Sequence, residues 1–279
     1  MKKANQVEPS VLMASDKTPI TYFKVAEAAS EKALLFLHCG GGHINEAYLR
    51  MATGLNQLGI SCYLMDLRGH GLSGGKRGDT PDKEQLFLDM DMMLQLIQRE
   101  NPGAKILIGG HSISAGLILN FINRKEQQVA ISELYFIAPN FGRYSNTYRI
   151  YRKDLFVKSI NWFKLFAYRW SKHNYYKNDY VVTLRVDKQM LKKDPLLIAQ
   201  YTNEMAHALT PQAPIESISN LKIPFNVIVG GKDILFNAKS LQRFCNKSSQ
   251  LKQFIVIPEL NHFSIIKEVP QLFKNSLAA

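Results

Sequence analysis

The chain lacks any run of about 18 consecutive apolar residues, so a membrane-spanning helix is not expected. Behind Met1-Lys2-Lys3 the residues Ala4 to Ser10 are polar. A cleavable secretory leader needs an apolar run there, so none is expected. Cysteine is scarce: Cys39, Cys62 and Cys245 are odd in number and widely spaced. That pattern argues against a disulfide framework and offers no metal-ligand spacing; it suits reduced thiols in a cytoplasmic protein. No G-x-x-x-x-G-K-[ST] occurs, which excludes a P-loop. Internal repeats and low-complexity segments are absent as well.

What is present points to a globular α/β protein. Hydrophobic residues make up 46% of 279, enough for a sizeable core and too many for a disordered chain. Pro9 to Ala26 reads as a hairpin around Ser15-Asp16-Lys17-Thr18. Apolar strand-like runs follow at Ala33 to His38, Ile60 to Met65, Lys105 to Ile108, Leu134 to Ala138, Phe225 to Val229 and Gln253 to Ile257. Helical spacing separates them at Glu46 to Leu58, Lys83 to Arg99, Ile113 to Asn123, Ala238 to Cys245 and Phe263 to Phe273. Alternation of this kind predicts a mostly parallel, doubly wound sheet.

The alternation breaks once. From Phe141 to Pro195 the chain carries 13 Lys+Arg against 4 Asp+Glu and holds both tryptophans, which concentrates much of the net charge of +12 in one place. The predicted organisation is therefore a core of residues 1–140 and 215–279 interrupted by an inserted cap, or lid, over 141–214. Trp162 to Trp170 has two readings: an amphipathic helix meeting anionic lipid, or aromatics packed onto the core and lining a pocket. The second is preferred, with weak binding to a membrane surface as a compatible addition. No recognition motif supports nucleic-acid binding.

Three turns carry the chemistry. Gly110-His111-Ser112-Ile113-Ser114 follows a strand and opens a helix. A serine in that sharp turn is lifted above the sheet edge, and small residues two before and two after it avoid a collision. Gly110 supplies one, and Ser114 stands where glycine is usual. The bland alternative is a serine that merely caps the helix. A hydroxyl needs a base to become nucleophilic, and His262 follows the last strand. Asp233 follows the strand before that and would orient the imidazole. Each alone has an ordinary reading as a cap or turn residue. Together, in the order Ser, Asp, His, each directly after a strand end, they form a candidate catalytic set. The oxyanion of an attacked carbonyl needs backbone donors. One is expected from Ile113 and the other from the glycine-containing loop His38-Cys39-Gly40-Gly41.

His38-Cys39-Gly40-Gly41, Asp66-Leu67-Arg68-Gly69-His70-Gly71-Leu72-Ser73, Gly110-His111-Ser112, Gly231-Lys232-Asp233 and Asn261-His262 together resemble the monoacylglycerol lipase and lysophospholipase branch of the α/β-hydrolases, of the serine aminopeptidase S33 type. The resemblance implies an α/β-hydrolase fold, ester hydrolysis through an acyl-enzyme, no cofactor and no metal. It implies a single-chain lipid ester as substrate, with a thioesterase, small-ester esterase or amidase as rivals on the same three residues. A non-catalytic binding protein on the same scaffold is the rival from another class. In that branch the first loop reads H-G-x-G, and its third residue, here Gly40, gives the second oxyanion N–H; Cys39 replaces the usual glycine. His38, Cys39, Gly41, His111, Trp162 and Phe166 are the candidate substrate-binding residues. Gly69 to Gly74 matches G-x-G-x-x-G, but a loop rather than a helix is predicted after it, so no dinucleotide site is expected. His43, His173 and His207 show no metal spacing, and His70 and His111 are expected to structure their turns.

Overall fold

Short apolar segments build the sheet. In the computed structural model, which describes residues 7–26, 30–124, 128–149 and 156–277, Pro9–Met13 (β1) and Pro19–Val25 (β2) form the expected antiparallel hairpin. Lys32–Leu37 (β3), Ile60–Met65 (β4), Lys105–His111 (β5) and Glu133–Ile137 (β6) follow. After an insertion carrying Val157–Ile160 (β7), Tyr180–Leu184 (β8) and Gln200–Thr202 (β9), Phe225–Gly230 (β10) and Leu251–Ile257 (β11) complete an eight-stranded sheet in the order β1-β2-β4-β3-β5-β6-β10-β11. β2 pairs antiparallel with β4, and every pairing from β4 to β11 is parallel.

Side-chain alternation assigns each strand two faces. Ala33, Leu35 and Leu37 enter one apolar cluster and Leu34 and Phe36 the other. The helices Lys83–Glu100 (α2) and Ser114–Ile122 (α3) cover the first face, while Glu46–Asn56 (α1) covers the second. Every residue of β4 and β10 is buried, as a sheet covered on both sides requires. Each large apolar side chain so removed from water contributes about 1.5–3 kcal/mol. Side-chain caps start the helices: Asn45 accepts from Ala47 N–H at α1 and Asp82 from Gln85 N–H at α2.

The insertion joins β6 to its sheet neighbour β10. It contains Val157–Ile160 (β7), Trp162–Trp170 (α4), Tyr180–Leu184 (β8), Lys188–Lys193 (α5), Gln200–Thr202 (β9), Asn203–Leu209 (α6) and Pro214–Ser219 (α7). The cap predicted over 141–214 falls in this stretch, of which residues 150–155 lie outside the described part. Strands β7, β8 and β9 form a small antiparallel sheet that the sequence did not announce. They are four, five and three residues long, too short for a period-2 pattern to stand out. Helix α6 buries Met205, Ala208 and Leu209 in the main core, so the end of the insertion is part of that core.

Two boundaries differ from expectation. β5 runs on to His111, because Gly109 and Gly110 still pair with Phe36 and Leu37 on one side and Tyr135 and Phe136 on the other. The last predicted helix, Phe263 to Phe273, is divided into a 3-10 turn, Ser264–Glu268, and a helix, Val269–Leu277, the last of two after the insertion (Ala238–Cys245 is α8, Val269–Leu277 α9). Pro270 has no N–H to continue the first segment and suits the opening turn of the second. α8 joins α2 and α3 on the first face, and α9 joins α1 on the second. None of the described helices is long and apolar enough to cross a membrane.

Candidate active site

The carboxyl ends of β5, β10 and β11 bring three sequence-predicted residues together. Ser112, between β5 and α3, has φ 58°, the left-handed region that a residue with a Cβ rarely enters. Such a conformation costs about 1–3 kcal/mol and persists only where its surroundings hold it. Here Ser112 N–H donates to Ile137 O and Asn140 N–H to Ser112 O, both at 2.9 Å, pinning the turn to the end of β6. Close packing needs Gly110: a Cβ there would lie 2.6 Å from Ile118 Cδ1 and 3.0 Å from Ser114 Cβ.

Ser112 Oγ lies 3.0 Å from His262 Nε2, and His262 Nδ1 lies 2.8 Å from Asp233 Oδ2. All three residues are buried. Asp233 Oδ1 accepts from Leu235 N–H at 2.8 Å and Phe236 N–H at 3.1 Å, which fixes the carboxylate plane. Phe236 and Phe263 flank the His262 ring. Through this arrangement a proton can pass from the hydroxyl to an imidazole whose other nitrogen is held by a carboxylate.

The loop after β3 faces this chain. A Cβ on Gly40 would come within 3.0 Å of Ile113 Cγ2, so the two expected donor positions are adjacent. Among the described residues neither the Gly40 nor the Ile113 N–H takes part in a hydrogen bond, whereas their neighbours do. Ser114, the departure from glycine, donates its hydroxyl to His38 O at 2.5 Å and so ties the serine turn to this loop.

His38, His70 and His111 are each buried, and burial lowers the pKa of all three, most strongly for His70 and His111. Their partners fix neutral tautomers. His111 Nε2–H donates to His262 O at 2.9 Å, and its Nδ1 accepts from Tyr48 OH at 2.7 Å. Tyr48 OH in turn accepts from Cys39 N–H at 3.0 Å. His38 donates from Nδ1 to Cys39 O and accepts Leu67 N–H at Nε2. His38 and His111 thus act on backbone geometry, and Gly41 N–H is held by Tyr201 OH. Cys39 and His111 also line a cavity of about 430 Å³ with Tyr48, Met190, Asp194 and Phe263, a lining that does not include Ser112 or His262.

The Asp66 to Ser73 stretch supports the site from below. Asp66 accepts Ile44 N–H and Leu72 N–H, Ser73 bridges Thr21 N–H to Asp66 O, and buried Arg68 forms a two-pronged pair with Asp89 and a further pair with Asp16. Gly71, at φ 49°, is required because a Cβ would fall 2.0 Å from Asp66 Oδ2. The stretch is followed by loop up to Asp82, as expected.

Trp162 and Phe166 are not among the residues lining that cavity. With Trp170 they form an i, i+4 stripe on the exposed side of α4, and Tyr168, on the opposite side, is the helix's buried residue. Tyr48 and Tyr201, both touching the Gly40 loop, were missed. Tyr48 sits on the buried stripe of α1 and reads as core, and Tyr201 lies in a three-residue strand with no local signal.

A family model described as serine aminopeptidase, S33, matches residues 28–269. A putative monoglyceride lipase of Schizosaccharomyces pombe is 34% identical over 92 residues, 32% of this chain and 24% of that protein. The monoglyceride lipase of Rattus norvegicus is 26% identical over 112 residues, 40% of this chain and 36% of its own. The matched part thus spans about a quarter to a third of the length of these curated relatives. A soluble variant of monoglyceride lipase from Saccharomyces cerevisiae, solved in complex with a substrate analog, superposes with a TM-score of 0.71 at 15% identity, covering 97% of this chain and 94% of that one. That likeness speaks for the fold alone.

Proposed function

Because the chain belongs to the serine aminopeptidase S33 family and has the α/β-hydrolase fold, we propose that it hydrolyses carboxylic esters through an acyl-enzyme on Ser112. The single observation that carries this reading is the buried hydrogen-bonded chain from Ser112 Oγ through His262 to Asp233, with Ser112 at φ 58°. His262 Nε2 takes the proton as Oγ attacks the ester carbon. The developing oxyanion accepts from the N–H groups of Gly40 and Ile113. Collapse expels the alcohol, which takes the proton back from His262. Water, deprotonated by the same imidazole, then releases the acid, while Asp233 holds the tautomer that keeps Nε2 free to accept.

The substrate we propose is a single-chain lipid ester, a monoacylglycerol or lysophospholipid. The monoglyceride lipase relatives support it. The cap over 141–214 would shape the acyl pocket. Weak association with an anionic membrane surface belongs to the same reading, since α4 exposes Trp162, Phe163, Phe166 and Trp170 beside Lys164 and Arg169.

The test is a fluorophosphonate probe and an ester panel of rising acyl length, run on wild type and Ser112→Ala. Wild type is expected to label and to prefer long acyl chains, and Ser112→Ala to lose both labelling and turnover while keeping its unfolding midpoint. Unchanged turnover in Ser112→Ala would refute the assignment. Steady loss of activity beyond short acyls would remove the lipid substrate alone.

A further inference from the structure

The inserted segment contributes to the oxyanion loop itself, and we infer that Tyr201, on β9, is a positioning residue that fixes the loop carrying the Gly40 donor. The inference rests on the hydrolase reading above. Gly41 N–H donates to Tyr201 OH at 2.5 Å, and Gly41 O accepts from Ile198 N–H at 2.8 Å. Both polar groups of Gly41 are therefore held by residues of the insertion. On the other side of Gly40, Cys39 O accepts from His38 Nδ1 at 2.8 Å and from Gly42 N–H at 3.2 Å. A peptide group is planar and trans, so anchoring the Cys39 carbonyl sets the opposite direction for the Gly40 N–H. Holding Gly41 N–H sets the next plane. Gly40 N–H is left without a described partner, between two immobilised peptide groups.

Tyr201 is well placed for this role. It is buried, and its hydroxyl donates to His70 Nε2 at 3.0 Å, while His70 Nδ1–H donates to Arg68 O. The next residue locks the strand to the core: Thr202 N–H donates to Gly78 O at 3.1 Å, and Thr202 Oγ1 to Asp79 Oδ1 at 2.6 Å. β9 is thus a fixed strut of the insertion. A hydroxyl held at both ends aims the loop without touching substrate.

The test compares Tyr201→Phe with Tyr180→Phe, elsewhere in the insertion, whose hydroxyl donates to Arg77 O. Misaiming one oxyanion donor is expected to lower kcat for an ester by about tenfold to a hundredfold with KM within about twofold. Affinity for a trifluoromethyl ketone, whose adduct carries the oxyanion, should fall by the same factor as kcat/KM. Tyr180→Phe should keep all three values, and fluorophosphonate labelling of Ser112 should still reach completion in every variant, more slowly in Tyr201→Phe. If Tyr201→Phe fails to fold, His70→Leu, which removes the acceptor of the same hydroxyl, is expected to show the same split in smaller measure. A Tyr201 variant with wild-type kcat, or with lowered kcat and unchanged ketone affinity, overturns the inference. Wild-type protein that neither labels nor turns over ester overturns the hydrolase reading instead.

Discussion

Replacing Asp233 by asparagine separates charge and tautomer from shape. The new amide can point its oxygen in one of two directions. With the oxygen toward Leu235 and Phe236, both backbone N–H bonds at 2.8 and 3.1 Å survive and the NH2 faces His262 Nδ1. With the amide flipped, NH2 meets two N–H donors, and each orphaned buried group costs about 1–3 kcal/mol. The flip therefore costs about 2–6 kcal/mol, and the first orientation wins. It forces His262 to accept at Nδ1 and carry its proton on Nε2, facing Ser112 Oγ at 3.0 Å with an N–H that cannot take a proton. The expected loss in kcat is about 10⁴-fold, or about 5.4 kcal/mol at about 1.36 kcal/mol per decade. Pre-steady-state acylation with a chromogenic ester should show it, and slow alkaline recovery should follow as hydroxide replaces the base. An Asp233→Asn enzyme within tenfold of wild type would refute the tautomer argument, provided its unfolding midpoint is unchanged.

Arg68 is buried against a fully buried Asp89, whose pKa burial raises even beside the guanidinium. Arg68→Met should therefore cost about 3–5 kcal/mol in chemical denaturation, with Arg68→Met/Asp89→Leu recovering most of it; a single-variant loss under about 1 kcal/mol would show that the pair is dispensable. Stability should also fall with acid. The folded-state pKa values of His38, His70 and His111 lie below their ordinary 6.5, and that of His207 is pushed down to about 4. The unfolded chain thus takes up protons that the native state refuses, so stability present above pH 6.5 is lost as pH falls toward those lowered values. Melting temperatures between pH 7.5 and 5.5 check it, and a flat profile would contradict the neutral-histidine geometry.

The core strands and most helices were legible in the sequence because buried parallel strands leave continuous apolar runs and α2 keeps an amphipathic period. Ser112, Asp233 and His262 were legible for a different reason: strand ends at one sheet edge converge whatever lies between them. The insertion was read only as a shift in charge and aromatic content; its internal elements were not legible. Its strands are three to five residues long, and its aromatics at Trp162, Phe166 and Trp170 share one helix side whose partner no sequence pattern names. A stripe at helical spacing predicts a common face, yet it does not say whether that face meets core or solvent. Tyr201 was invisible because its role depends on a bond across 160 positions to Gly41.

The most distinctive stretch, Asp66 to Ser73, offers no reacting group. Its carboxylate, guanidinium and hydroxyl are fully engaged with backbone N–H groups, Asp89 and Asp16, and its glycines make room for them. It is recognisable because a loop that must satisfy so many buried polar groups tolerates few residue types. The proposed chemistry asks less of the side chains in the loop after β3. Cys39 stands where the branch that the chain resembles has glycine, but the oxyanion donor proposed at Gly40 would depend on backbone atoms that any side chain at 39 leaves in place. Ser114 stands where glycine is expected as well, and its hydroxyl finds His38 O, adding a bond between the serine turn and the loop after β3 that glycine could not make. On the proposed reading, both departures leave the backbone donors in place, and Ser114 adds a hydrogen bond where an acceptor already stands.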